Sequence, residues 1–296
     1  MESLCHDDLV LDSRRSPKGF SPAREPARVA GMGLFKSSKP VIGMIHLGAL
    51  PGTAAARQNL REIERQALAE AKIYREAGVH GVMLENMHDT PYLKGTVGPE
   101  IVAAVAIAAR AVRDFVRVPV GVQVLAGANL EAMAVAHAAG LDFIRVEGFA
   151  FAHVADEGLI ESCAGELLRF RRKIGADRVQ IWADIKKKHS AHAITADVSL
   201  AETAAAVEFM RGDAVIVTGS STGHAPLPEA VAEAKRATRL PVLLGSGVTA
   251  ENLKDFYERA DGFIVGSSFK SGGEWSGRLE PKRAQRFMAA HGKLGG

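Results

Sequence analysis

Eight short apolar runs, separated by Ala-rich stretches with helical spacing, constrain the fold of this chain more than any other feature. Each run has the length of a β-strand, and the stretches between the runs repeat apolar residues three or four positions apart. Runs such as VIVTG and VLLGSG are apolar almost throughout, which is typical of parallel strands buried on both faces. The runs cover residues 41–46, 81–85, 120–125, 143–147, 179–185, 214–218, 242–246 and 262–267.

Alternation of eight strands with helices predicts an α/β fold, a closed (β/α)₈ barrel of the TIM type, as a single domain over residues 38–296. Gly and Asp directly before several runs, as in AGLD and ADGF, mark where a helix ends and a strand begins. The alternative is a doubly wound open sheet. That fold would need fewer strands and a G-x-G-x-x-G first turn, which residues 46–52 lack.

The composition is that of an ordinary globular protein, with 47% hydrophobic and 24% charged residues and no apolar run as long as a membrane span. A net charge of +3 without a basic stripe gives no reason to expect a nucleic acid partner. Two cysteines, Cys5 and Cys163, exclude a disulfide framework and favour a reducing compartment, so the cytoplasm is expected. Residues 1–37 are rich in Ser, Pro and Arg and predict a disordered N-terminal extension.

Small residues follow the sixth, seventh and eighth runs. Barrels commonly bind phosphate in the loops after strands seven and eight, because backbone N–H groups in such loops can approach an anion closely. We therefore predict a phosphate site here, and the alternative is that Gly and Ser only form tight turns. The predicted binding residues are Thr218, Ser220, Gly245, Ser246, Gly247, Gly266, Ser267 and Ser268.

A carboxylate and a lysine at the end of the fifth run predict an acid/base pair. Asp184 and Lys186 have the spacing D-x-K, and each group would favour the charged form of the other. Lys187 and Lys188 are expected to be solvated. The spacing is similar to that of phosphosugar decarboxylase and isomerase barrels, but His189 stands where their second Asp is usual.

Polar residues also close the first, second and fourth runs, where barrel active sites collect charged groups. His46, Glu85 and Glu147 are predicted to be catalytic, and Arg145 is predicted to bind the substrate. The alternative for Arg145 and Glu147 is a structural salt bridge, because residues two apart on a strand share a face.

A divalent metal is an alternative that we do not favour, and the cofactor is left open. Suitable ligand types are present, but no pair has diagnostic spacing: His46, Glu85, Gln123, His153, Asp156 and Asp184. The motifs H-E-x-x-H, C-x-x-C and the P-loop are absent from the sequence.

Several long segments, including KPVIGMIHLGALPG, GVMLENMHDTPYLKGTVGPEIVAA and ADIKKKHSAHAITADVSLAETA, closely resemble the BtpA/SgcQ family. The likeness spans residues 39 to about 290. It implies a barrel of the ribulose-phosphate-binding kind. It also implies kinship with a cyanobacterial protein linked to photosystem I biogenesis and with an enteric protein that accompanies sugar-metabolism genes.

Two functions are consistent with these features. The first is an enzyme, an isomerase, epimerase or lyase, acting on a small phosphorylated sugar or nucleotide-like metabolite. The second is a non-catalytic biogenesis factor for photosystem I, with at most peripheral contact with a photosynthetic membrane. Charged residues collected at one rim favour the enzyme, and helices on the outside of the barrel make a homo-oligomer a further expectation.

Overall fold

The computed structural model describes residues 31–219 and 221–295, and eight parallel strands in this part of the chain close into a barrel. The order around the barrel is β1-β2-β3-β4-β7-β9-β10-β11, and three short strands form a separate antiparallel sheet in the order β6-β5-β8. The strands are β1 Val41–His46, β2 Gly81–Glu85, β3 Val120–Gln123, β4 Phe143–Val146, β5 His153–Ala155, β6 Gly158–Ile160, β7 Gln180–Ile185, β8 Ser190–Ala191, β9 Ala214–Val217, β10 Val242–Leu244 and β11 Gly262–Val265.

One α-helix follows each barrel strand and covers the outside of the barrel. Within the described ranges, none of these helices is both long and apolar enough to cross a membrane. The helices are α1 Leu60–Ala77, α2 Pro99–Phe115, α3 Asn129–Ala139, α4 Ala164–Lys173, α5 Leu200–Phe209, α6 Pro228–Ala237, α7 Leu253–Tyr257 and α8 Pro281–Gly295.

The predicted barrel is confirmed, and each predicted run overlaps one barrel strand. Several runs extend one or two residues beyond the strand at its carboxyl end, because the chain leaves the ladder there to form a loop. The small sheet of β5, β6 and β8 was not predicted, since strands of two or three residues leave no recognisable pattern.

The amino-terminal end of the barrel interior is filled by apolar side chains and closed by Phe35. The Phe35 ring lies 6.4 Å from that of Phe143 and 6.0 Å from that of Trp182, centroid to centroid. Residues 31–34 form a 3-10 helix that leads into Phe35. The predicted disordered extension therefore differs from the structure over residues 31–37, and residues 1–30 lie outside the described part.

Three aspartates lie just before barrel strands and join each strand to its neighbour. Asp142 accepts from the N–H of Val120, Asp213 from that of Ile181 and Asp261 from that of Val242, over 2.8, 2.9 and 3.0 Å. A basic side chain from the helix that leads into the neighbouring strand pairs with each carboxylate: Arg113 of α2, Arg171 of α4 and Lys235 of α6 respectively. These contacts fix the amino-terminal end and leave the carboxyl end for binding.

Candidate active site

The carboxyl end of the barrel interior is polar because side chains alternate along each strand. Buried residues such as Met44, Met83 and Trp182 point into the barrel, so the residues two positions later on the same strands point inward as well. Those next positions form one layer around the axis: His46, Glu85, Gln123, Arg145, Asp184, Thr218, Gly245 and Gly266.

A cavity of about 750 Å³ opens at this end of the barrel. Predicted site residues that line it are His46, Glu85, Arg145, Glu147, Gly245, Ser246, Gly247, Gly266, Ser267 and Ser268. Asp184, Lys186 and Thr218 lie outside the lining, and Ser220 lies outside the described residues. The Thr218 hydroxyl instead accepts the backbone N–H of Lys188 over 3.2 Å.

Arg145 and Asp184 form a bidentate ion pair on neighbouring strands β4 and β7. Nε and Nη2 of Arg145 donate to the two carboxylate oxygens over 2.9 and 3.0 Å, and the Asp184 side chain is 0% exposed. Asp184 is therefore a buried partner that orients Arg145, which differs from its predicted role as a proton carrier. The alternative pairing of Arg145 with Glu147 is also not found.

The three lysines after β7 do not have the predicted environments. Lys186 lies outside the cavity lining, and Lys187 and Lys188, which were expected to be solvated, are part of it. Lys186 has φ 45°, which ends the strand alternation, and its Nζ donates to the carbonyl oxygen of Thr195 over 2.8 Å. Lys187 and Lys188 line the cavity instead, and Nζ of Lys187 lies 3.0 Å from Oε2 of Glu147. Burial lowers the pKa of Lys188. Because Lys188 lines the cavity and Lys186 does not, Lys188 is the one of these two lysines that can donate to a bound ligand.

Glu147 and Gln123 give the floor of the cavity hydrogen-bond acceptors. Nε2 of Gln123 donates to Oε1 of Glu147 over 3.0 Å, which fixes the orientation of the amide. Oε1 of Gln123 is then a buried acceptor with no donor among the described residues. Because both side chains line the cavity and carry acceptor oxygens, the floor suits a ligand with hydroxyl or N–H donors.

His46 and Glu85 form a buried pair beside this floor. Nδ1 of His46 lies 3.0 Å from the carbonyl oxygen of Trp275. A carbonyl can only accept, so Nδ1 carries the proton and Nε2 is free to accept one. Burial, and next the charge of Lys270, lowers the pKa of His46 to about 3, while burial raises the pKa of Glu85. Nε2 of His46 lies 3.6 Å from Oε2 of Glu85. Two groups that can accept a proton, with pKa values shifted in opposite directions, therefore lie side by side.

The loops after β10 and β11 provide unpaired backbone donors. The N–H groups of Gly247, Val248, Ser267 and Ser268 have no acceptor among the described residues. A Cβ at Gly247 would lie 2.0 Å from the backbone nitrogen of Ala225, and its φ is +70°, so the loop requires glycine there.

The Ser246 hydroxyl makes two hydrogen bonds within the protein. It accepts the N–H of Gly219 over 2.8 Å and donates to the carbonyl oxygen of His224 over 3.0 Å. It therefore holds the two neighbouring loops together and leaves the backbone groups as the donors for an anion.

A basic side chain beside the loops after β10 and β11 was not predicted. Arg283, in the first turn of α8, lines the cavity, and its Nη1 donates to the carbonyl oxygen of Ser268 over 3.1 Å. Glu251 lines the same edge, but Oε1 of this residue lies 2.7 Å from Nη2 of Arg286. No local motif marks Arg283, and only its position after the eighth strand could have identified it.

The residues considered as metal ligands do not form a metal-binding cluster, although several of them line the cavity. Within residues 31–219 and 221–295, no group of three or more His, Cys, Asp or Glu side chains is arranged to hold a metal ion. Asp156 lines the cavity, while the His153 ring lies 5.6 Å from the His192 ring at the small sheet.

Known proteins resemble this chain over most of its length. The family model described as the BtpA family matches residues 37–293. A Caenorhabditis elegans protein named as mitochondrial is 47% identical over 267 residues, which is 88% of this chain and 96% of that protein. The photosystem I biogenesis protein BtpA of Synechocystis sp. is 35% identical over 257 residues, which is 86% of this chain and 89% of that protein.

Solved structures share the barrel at low sequence identity. Thiamine phosphate pyrophosphorylase from Pyrococcus furiosus superposes with a TM-score of 0.54 at 14% identity, covering 88% of this chain and 98% of that one. Tryptophan synthase from M. tuberculosis gives a TM-score of 0.55 at 18% identity, covering 86% of this chain and 92% of that one. At these identities the likeness establishes the fold.

Proposed function

The chain belongs to the BtpA family, and from that premise we propose that it is an enzyme acting on a small phosphorylated, hydroxyl-bearing metabolite. One observation carries the proposal. The same cavity joins the unpaired backbone N–H groups of the loops after β10 and β11 to the buried pair of His46 and Glu85. Names of solved barrels of this fold, such as the phosphoribosylanthranilate isomerases, agree with a phosphorylated ligand.

The phosphate would bind at Gly247, Val248, Ser267 and Ser268. Backbone N–H groups attract an anion without the cost of immobilising long side chains, and Arg283 adds a positive charge at the same edge. Hydroxyl groups of the ligand would then donate to the floor of the cavity. Anchoring the phosphate in this way fixes the reacting carbons over the proton-accepting pair.

The chemistry that these groups can perform is proton transfer next to a carbonyl, as in an isomerase, epimerase or lyase. The Glu85 carboxylate, whose pKa is raised by burial, takes the proton from carbon, and the electron pair moves onto the carbonyl oxygen. Nζ of Lys188 donates a hydrogen bond to the oxygen that becomes negative, which is effective where water is excluded. Return of the proton to carbon completes the step with no oxidant or reductant.

Ligand-induced thermal stabilisation tests this proposal. Inorganic phosphate and ribose 5-phosphate should each raise the melting temperature of the wild-type protein, whereas ribose alone should raise it less. A ligand present at about 100 times its Kd adds about 2.7 kcal/mol. Ser268→Asp places a negative charge at the phosphate loops and should abolish the effect of both phosphates.

Ser271→Asp is the matched control, because Ser271 is exposed, lies three residues further along the same loop and is outside the cavity lining. This variant should respond to phosphates as the wild type does. Equal responses of the Ser268→Asp and wild-type proteins, or no stabilisation by either phosphate, would reject the phosphate site.

A non-catalytic role in biogenesis is supported by the printed name of the Synechocystis relative. Such a role would be carried by the outer surface and would survive Ser268→Asp. Complementation of a deletion strain by Ser268→Asp and by Ser271→Asp separates the two functions, because an enzyme requires the first position and a scaffold requires neither.

A further inference from the structure

An indole side chain lies in the cavity beside the proton-accepting pair. Trp275 belongs to the loop between β11 and α8, is half-buried and lines the cavity. The hydrogen bond from His46 to its carbonyl oxygen holds the backbone above β1. The His88 ring, from the loop after β2, lies 5.0 Å from the indole and supports it from the protein side. The indole is therefore held in place without a bound ligand.

The Trp275 indole lies at the loop after β2, and we call the cavity lining there the aromatic wall. Tyr92, Met87 and Leu125 also line the cavity. The Tyr92 hydroxyl donates to the carbonyl oxygen of Met87 over 2.7 Å, so the polar atom of this ring is already bonded within the protein. What Tyr92 adds to the cavity is mainly aromatic surface. A phosphorylated sugar by itself has no large apolar face to cover such a wall.

The aromatic wall and the phosphate loops are separated by the span of one small ligand. In the barrel, β11 pairs with β1 and β1 pairs with β2. Adjacent strands lie about 4.8 Å apart, and the Trp275 indole lies 5.0 Å from the His88 ring in the loop after β2, so the indole is separated from the residues that directly follow β11 by roughly 10 Å. His46, at the end of β1, lies between them. The cavity of about 750 Å³ falls in the range of sites for drug-sized ligands and is larger than a pentose phosphate needs.

We propose that the ligand is a phosphoribosyl compound with a planar aromatic ring that stacks on Trp275 and with a sugar that can open to the carbonyl form needed by the proposed chemistry. Nucleoside 5′-monophosphates share its ring and its phosphate and serve as binding probes. This inference rests on the proposed function and specifies its substrate class. The phosphate occupies the loops after β10 and β11, the ribose lies over His46 and Glu85, and the ring reaches the aromatic wall. Stacking is tolerant of ring identity, because every base has an aromatic face.

Tryptophan fluorescence gives a direct readout of stacking. The chain has two tryptophans, and Trp182 is 0% exposed in the barrel interior, where it stacks on Phe143 at 3.8 Å. Trp275 is therefore the tryptophan that a ligand can touch. The four common ribonucleoside 5′-monophosphates and ribose 5-phosphate are titrated separately, with excitation beyond the absorption of the bases. At least one nucleotide should quench the emission, and ribose 5-phosphate should quench it little.

Affinities measured by calorimetry complete the test. In the wild type, the best nucleotide should bind roughly 5- to 150-fold more tightly than ribose 5-phosphate, the range expected for one stacked base. Trp275→Leu should remove this advantage and leave the Kd for ribose 5-phosphate within about twofold of the wild-type value. Phe209→Leu, at an aromatic residue that is 86% exposed and distant from the cavity lining, should change neither affinity.

Two results would overturn the inference while the phosphate site stands. One is equal binding of ribose 5-phosphate and every nucleotide by the wild type. The other is an equal loss of affinity for ribose 5-phosphate and nucleotide in Trp275→Leu. Failure of all five compounds to bind would overturn the inference and the proposed function together.

Discussion

At the scale of single residues, the pairing of buried charges determines what each group can do. Asp184, which lies outside the cavity lining, accepts two hydrogen bonds from Arg145 and so holds the guanidinium group at the cavity. Removing one member of such a pair leaves an uncompensated charge in the interior, which costs far more than breaking a pair on the surface.

Asp184→Asn is expected to lower the free energy of unfolding by about 3–5 kcal/mol, because Arg145 loses its buried counter-charge. Asp177→Asn is the matched control. Asp177 pairs with Arg172, and their side chains are 48% and 80% exposed, so this change should cost less than about 1 kcal/mol. Urea unfolding measures both values. Equal effects of the two substitutions would show that the Arg145–Asp184 pair does not bear a buried charge.

His46 gives a prediction for pH dependence. Its pKa is lowered to about 3 from 6.5, so between these two values the unfolded chain binds a proton that the folded protein does not. The free energy of unfolding therefore falls as the pH is lowered through this window. His46→Gln lacks the contribution and should lose less stability than the wild type, by at most about 1.4 kcal/mol per pH unit.

Urea unfolding of both proteins at intervals from about pH 7 to pH 4 checks this expectation. Curves of stability against pH that run parallel in the wild type and His46→Gln would contradict it, because they would mean that the imidazole titrates alike in the folded and unfolded chains.

The sequence located polar residues at strand ends but could not pair them. Arg145 and Glu147 are two apart on one strand, and local spacing alone favoured a bond between them. Arg145 instead bonds Asp184 on the adjacent β7, while the turn at Lys186 brings Lys187 to Glu147. These partners depend on the packing of strands that are distant in sequence. A residue with left-handed backbone angles, such as Lys186, also leaves no mark in the hydrophobic pattern of the sequence.

At the scale of strands and helices, the alternation of apolar runs was enough to place all eight barrel strands, because each is buried on both faces. The Asp residues at strand starts, such as Asp142 and Asp261, sharpened these boundaries. The small sheet could not be predicted, since it depends on the tertiary contact of β5 with β8 rather than on a periodic pattern.

Two glycines test how the elements pack. A Cβ at Gly121, on β3, would lie 2.1 Å from the Phe143 ring, so Gly121→Ala should destabilise the protein by about 1–3 kcal/mol.

Gly292 is exposed within α8 and has no atom within 4 Å of such a Cβ. Gly292→Ala should therefore stabilise the protein by about 0.5–1 kcal/mol, since alanine favours the helix.

Chemical denaturation distinguishes these two glycine variants by the sign of the change in unfolding free energy. A stabilising or neutral Gly121→Ala would show that β3 and β4 do not approach as closely as the structure has them. A destabilising Gly292→Ala would contradict the helical conformation at that position.

At the scale of the whole molecule, the barrel has two chemically different ends. Phe35 and the interior rings close one end, and polar side chains surround an open cavity at the other. The sequence predicted the position of the cavity from the order of the strands. The phosphate site in the loops after β10 and β11, inferred from their small residues, stays a prediction. Arg283 and Trp275 were missed because they lie beyond the strand ends, where no pattern constrains the chain.

The crystal structure of the protein soaked with ribose 5-phosphate tests the central claim most directly. The account predicts the phosphate between the loops after β10 and β11, accepting from the N–H groups of Gly247 and Ser268, with the sugar hydroxyls at the floor formed by Gln123 and Glu147. A phosphate bound at the outer surface, or a sugar whose hydroxyls do not reach the floor of the cavity, would contradict it.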